Sequence, residues 1–249
     1  MRPVITRLTP TRGFSSFLHN ALVVLLPLLL FVLVRLEFVV LAFLIVILAK
    51  WRMFFVRPRF WPANIRANAI DIIVGQSVIL FMHQSGSMWA QVVWVVLYTV
   101  WLLRIKPQSS LFWVSLQAGI GQLAGLSAIY MAWPEAPLWL ISLLVGSVCY
   151  LSARHFIDSF DEVYARLLSY VWAYTGAAVA WLTGHWLLYY QFIAQPTLLL
   201  TTIGYGLAAL YYFKHDDRLS VALRRQFVFI MLAVVMLVIT FSDWGDKVV

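Results

Sequence analysis

A chain of 249 residues that is 63% hydrophobic and 11% charged, with a mean hydropathy of +0.88, cannot clothe a soluble surface, which takes about 25% charged residues. Its net charge of +8 does not point to nucleic acid, because the basic residues stand at the ends of apolar runs rather than on one face or tail. The single cysteine, Cys149, excludes an intrachain disulfide and a cysteine-based metal cluster.

Residues 1–20 carry Arg2, Arg7 and Arg12 and no acid, ahead of an apolar run at 21–34. No small-x-small cleavage site follows, since the next residues are Arg35-Leu36-Glu37, so the run is expected to remain as a membrane segment. An organelle transit peptide is the alternative for this start. The stretch 21–49 is apolar except for Arg35 and Glu37. As one helix it would run about 43 Å, too long for a bilayer core, and as two helices about 20 Å each, which is short.

Charge counting favours two. With nine segments the N-terminus, 50–66, 104–106, 154–166 and 214–225 share one side, and with them every Lys and Arg except Arg35 and Lys247. With eight, Arg2, Arg7 and Arg12 would lie opposite the rest, against the positive-inside rule. The expected architecture is therefore all-α, a polytopic transmembrane helical bundle of about nine segments (eight if 21–49 form one span) with a cytoplasmic N-terminus. It reads as one transmembrane domain over 1–249: a short helical hairpin at 20–50, a basic aromatic interfacial segment at 51–66, and a seven-span bundle at 67–249. A bacterial plasma membrane is the expected location.

The segment after the hairpin interleaves Lys50, Arg52, Arg57, Arg59 and Arg66 with Trp51, Phe54, Phe55, Phe60 and Trp61. Such a segment gains about 1 kcal/mol per basic residue at an anionic leaflet. Membrane lipids with anionic headgroups are the expected partners, and Arg57, Arg59 and Arg66 the phosphate or headgroup candidates. The seven spans that follow read as 67–83, 87–104, 109–132, 137–153, 164–183, 196–213 and 226–242. Trp and Tyr mark their ends, among them Trp89, Trp133, Trp139, Trp181, Trp186, Tyr189, Tyr190 and Trp244.

Asp71 is the one acid within a clear apolar span, where charge costs between about 3 and 17 kcal/mol. Asn64, Asn68, Asp71 and Gly75 follow helical spacing and form one stripe. One reading is a substrate or ion site, joined by Gln76, Gln117 and Gln122 in a polar pathway. The other is an ion pair with Arg66 or Arg59 one turn inside the boundary. Gly121 and Gly125 give a G-x-x-x-G spacing that admits a close helix partner. Gly119-Ile120-Gly121 lacks the preceding strand of a dinucleotide fingerprint, and no cofactor is implied.

If the helix of the 164–183 span begins early, His155, Asp158 and Glu162 share one of its faces and offer imidazole and oxygen ligands to a divalent cation. The competing reading is a capped helix start with a Glu162–Arg166 pair. No catalytic residue stands out, and a non-enzymatic role is preferred. A transport or membrane-complex subunit handling a small solute, ion or lipid is the first functional reading. A membrane-embedded enzyme acting on a phosphate-bearing lipid and a non-catalytic scaffold are the alternatives.

Overall fold

In the computed structural model, residues 14–185, 189–190 and 193–242 are described. Arg2, Arg7, Arg12, Trp186, Trp244 and Lys247 lie outside them, as do the side chains of Arg52, Tyr189 and Tyr190. The described residues form nine α-helices: α1 Phe14–Arg35, α2 Val39–Leu48, α3 Trp61–Gln84, α4 Met88–Val100, α5 Leu111–Ala132, α6 Leu138–Ile157, α7 Ala165–Gly184, α8 Gln195–His215 and α9 Val221–Phe241. Two-residue strands pair just before α8. The chain is an all-α membrane protein, and five stretches are both long and apolar enough to cross a bilayer: Pro58–Gln84, Met88–Ile105, Leu111–Ala132, Leu138–Phe160 and Val221–Phe241.

Local chemistry sets the helix ends. Ser87 and Ser220 accept from the backbone N–H groups of Ala90 (3.2 Å) and Leu223 (3.1 Å), satisfying orphan donors at the starts of α4 and α9. Pro62 and Pro196 occupy the first turns of α3 and α8, where no intrahelical N–H is needed. Glu37, Asp161 and Asp217 take positive φ in the turns after α1, α6 and α8. That left-handed position stops a helix, and a short polar side chain tolerates it best.

The stretch 21–49 is a hairpin, turning at Leu36 and Glu37. α2 has only 10 residues, about 15 Å of helix and half a bilayer core. It runs antiparallel to α3: Lys50 meets Asp71, Val46 lies against Gly75, and the Phe43 carbonyl accepts from Gln76 Nε2 at 3.1 Å. The turn thus comes level with the far end of α3, and α2 covers only the distance from there to Asp71. α3 continues past Asp71 for ten more residues to Trp61, and the segment before it folds back on its first turns through Asn64 Nδ2 to the Met53 carbonyl (3.2 Å).

Lipid is as apolar as a leucine side chain, so helix contact in a membrane depends on close packing and on small residues. α5 lies parallel to α3 through Gly121 and Gly125: a Cβ there would sit 2.8 Å from Ile70 Cγ2 and 2.7 Å from Ile73 Cγ2. The spacing that asked for a close helix partner is used within the chain. α6 and α7 pack antiparallel through Gly146, Gly176 and Gly184. One core cluster unites α1 to α4, and a second gathers α5 to α8. α9 contacts α8 and is otherwise turned outward.

Candidate functional site

Asp71 is 7% exposed and is neutralised from two sides. Lys50, between α2 and the interfacial segment, and Lys106, after α4, both place Nζ on Oδ2, the second at 2.5 Å. The indole of Trp101 donates to Oδ1 at 3.0 Å. Trp101 opens a five-residue π turn, Trp101–Ile105, at the end of α4. The Lys50 side chain is 10% exposed and that of Lys106 36%. The expected arginine partners are elsewhere: Arg66 Nε donates to the Pro62 carbonyl at 3.3 Å, and the Arg59 guanidinium lies over the Phe60 ring at 4.5 Å. Two lysines and one carboxylate tie the ends of α2 and α4 to the middle of α3. Among the described residues Arg57, Arg59 and Arg66 have no carboxylate partner and remain at the basic end of the bundle, with Arg57 and Arg59 exposed.

The other polar members of the expected pathway do not meet. Asn68 Nδ2 donates back to the Asn64 carbonyl at 2.9 Å, and Gln76 is spent on α2. Gln117 Nε2 donates to the carbonyls of Ile105 (2.7 Å) and Gln108 (3.0 Å), clamping the loop that carries Lys106. Its Oε1 lies 3.1 Å from His155 Nε2, and because an amide oxygen only accepts, that nitrogen is the donor. Asp158 pairs with Arg154 at 3.1 Å.

Glu162 Oε2 accepts from the Tyr211 hydroxyl at 2.5 Å, and Oε1 from the Tyr164 N–H at 3.4 Å. The tyrosine bond above all holds its carboxyl below the usual glutamate range. His155, Asp158 and Glu162 therefore face three different partners, and among the described residues no three His, Cys, Asp or Glu side chains converge on a metal position.

Between α5, α6, α7 and α8 lies a cavity of about 260 Å³. Gln122 closes it at mid-span: Trp172 Nε1 donates to Oε1 and Nε2 donates to the Leu200 carbonyl, both at 3.0 Å. Tyr211, held by Glu162, lies at the basic end of its lining. Most of the wall is apolar, and among the described residues no charged side chain lines it.

α7 packs far more closely on α6 than on α8, so the cavity opens sideways towards lipid. Val171 and Tyr205, on the walls contributed by α7 and α8, are 56% and 65% exposed. Gly119 lines the cavity and a Cβ there would meet nothing within 4 Å, in contrast to Gly121 two residues on.

Two hydroxyls in the lining are orphans. Ser152 on α6 is 2% exposed, and among the described residues neither its Oγ nor the buried Thr201 Oγ1 on α8 has a hydrogen-bond partner. A buried polar group in that state costs about 1–3 kcal/mol. Other helix hydroxyls donate to the carbonyl four residues earlier, as Ser77, Ser169 and, in the same lining, Ser115 do, while among the described residues Ser142 Oγ and Thr197 Oγ1, outside the lining, are orphans too.

No protein-family profile, no curated protein and no solved structure matches this chain. Of the sequence candidates only Gln122 lines the cavity. Ser152, Trp172, Thr201 and Tyr211 carry no motif, since a serine or threonine in a membrane helix looks alike whether or not it faces a cavity. Lys50 and Lys106 had a signal: they are the only lysines flanking the first four helices, and the acid in α3 needed a cation from a neighbour.

Proposed function

We propose that this membrane protein binds a lipid-class molecule, taken sideways from the bilayer into the cavity between α5 and α8, and serves as the lipid-handling subunit of a transport or membrane complex. The observation that carries the reading is the cavity itself: apolar, uncharged, and walled by helices that part towards lipid at Val171 and Tyr205. Ligand sites in helical bundles are commonly apolar clefts with a few placed polar groups, and Gln122 is such a group here. An ion or charged solute fits poorly, because Asp71 is committed to Lys50 and Lys106 and does not line the cavity. The basic end, with Arg57, Arg59 and Arg66, suits an anionic leaflet, as expected of a bacterial plasma membrane.

The test is photolabelling in lipid nanodiscs with a long-chain alkyl diazirine, mapped by peptide mass spectrometry. Adducts are expected on the inner lining at Phe156, Trp172 and Thr201, in addition to lipid-exposed positions such as Val171, Tyr205, Phe229 and Met236. Gly119→Phe puts a ring into the cavity and should remove the first set while leaving adducts at the exposed positions unchanged. Equal labelling of Phe156, Trp172 and Thr201 in wild type and Gly119→Phe would sink the reading.

A further inference from the structure

Between residues 38 and 134 the sequence holds one acid, Asp71, against two lysines and five arginines. Both lysines converge on that acid: the ammonium groups of Lys50 and Lys106 meet on the same carboxylate oxygen, Oδ2. One negative charge offsets one positive charge, so the group keeps a surplus positive charge at the ends of α2 and α4. Among the described residues no second carboxylate reaches either lysine. We infer that the surplus is met from outside the chain, by the phosphate of an anionic phospholipid in the leaflet at the basic end, bound at Lys106. Neither lysine lines the cavity, so this site goes beyond the reading above and does not depend on it.

Lys106 is the accessible member of the group. Its side chain is 36% exposed against 10% for Lys50, and an ammonium has three donors, of which the contact with Asp71 uses one. Its backbone is held on both sides: Gln117 Nε2 donates to the carbonyls of Ile105 and Gln108, and the Lys106 N–H donates to the Trp101 carbonyl at 2.9 Å. The membrane-crossing stretch Met88–Ile105 ends immediately before it, which puts Lys106 at headgroup level. Arg104, two residues earlier, is exposed and brings another cation to the same turn. An uncompensated charge beside hydrocarbon is unfavourable, and the anion in supply at that depth is lipid phosphate, a group that lysine binds well. A zwitterionic headgroup carries its own cation and would leave the surplus in place.

The experiment melts the full-length wild type, Lys106→Gln, Lys106→Arg and the double variant Arg57→Gln, Arg59→Gln in dodecyl maltoside, with phosphatidylglycerol, phosphatidylcholine or millimolar inorganic phosphate added. Lys106→Gln leaves Asp71 with Lys50 and the Trp101 indole, a balanced pair, so without lipid it should stay folded. Phosphatidylglycerol should raise the wild-type Tm by about 3–12 °C more than that of Lys106→Gln, the effect of one charge-assisted hydrogen bond in a chain of this size. Lys106→Arg and the double arginine variant should keep the wild-type gain. Mass spectrometry of the intact proteins should find phosphatidylglycerol retained by the wild type and lost from Lys106→Gln.

Equal gains and equal lipid retention in wild type and Lys106→Gln overturn the inference, as does loss of the gain in the double arginine variant alone. A phosphatidylcholine gain as large as that from phosphatidylglycerol overturns the requirement for net negative charge. Inorganic phosphate that reproduces the full gain overturns the lipid source and leaves a phosphate site at Lys106. Labelling of Phe156, Trp172 and Thr201 should be the same in wild type and Lys106→Gln, so failure here and failure of the cavity reading are told apart.

Discussion

Replacing Asp71 with Asn leaves two ammonium groups facing each other at the ends of α2 and α4, one of them only 10% exposed. Breaking a buried ion pair by removing one partner costs about 3–5 kcal/mol, because the remaining charge is left without compensation. For a chain of this size each kcal/mol lowers Tm by about 2–4 °C, so Asp71→Asn should lower Tm by about 6–20 °C.

Lys50→Met should behave differently. It leaves Asp71 with Lys106 and the Trp101 indole and removes a like-charge contact, so its cost should stay near or below about 1 kcal/mol. Adding Lys50→Met to Asp71→Asn should restore much of the loss, because the remaining Lys106 side chain is 36% exposed and can reach solvent or headgroups. The assay is thermal unfolding of the purified protein in one detergent, read by circular dichroism and closed as a double-mutant cycle. An Asp71→Asn protein melting within about 2 °C of wild type would refute the triad as a structural fastening. So would a double variant no more stable than Asp71→Asn alone.

Three further outcomes follow from the packing. Gly121→Ala should cost about 1–3 kcal/mol, since its Cβ would press on Ile70, whereas Gly119→Ala, facing open space, should change Tm little; equal effects in the same melts would contradict the register of α5 on α3. Cys149, fully buried against Gly176, should resist maleimide in the folded protein and react after denaturation, as read by mass. Glu162, with its carboxyl held low by Tyr211, contributes stability present above the unfolded pKa and lost as pH falls through the lower folded pKa. Tyr211→Phe should therefore raise the Glu162 pKa towards the ordinary value and shrink the loss of Tm between pH 6 and pH 3, and carboxyl NMR shifts check the first part.

Composition and the spacing of apolar runs determined the class of this protein, because a bilayer leaves a chain so poor in charge few options: each backbone group must be satisfied within a helix, and each helix must be long enough to cross. The seven later helices match the predicted spans to within a few residues, except where α3 begins six residues early at Trp61 and α9 five early at Val221. Each extension ends in arginine, Arg66 in α3 and Arg224 and Arg225 in α9, which marks the edge of the uninterrupted apolar run. The hairpin was legible from Arg35, Glu37 and the charge balance. That α2 stops after about 15 Å was not, since only its pairing with α3 places the turn and Lys50 in depth.

Asp71 was legible as a residue needing a partner, and the identity of that partner was a tertiary matter. Which cation reaches a carboxylate depends on how α2 and α4 are rotated and where they end, and the π turn at Trp101–Ile105 has no sequence mark. The cavity belonged wholly to the tertiary structure. It exists because α7 follows α6 through Gly146, Gly176 and Gly184 and parts from α8, and the angle between two helices is a property of their packing surfaces rather than of either sequence alone.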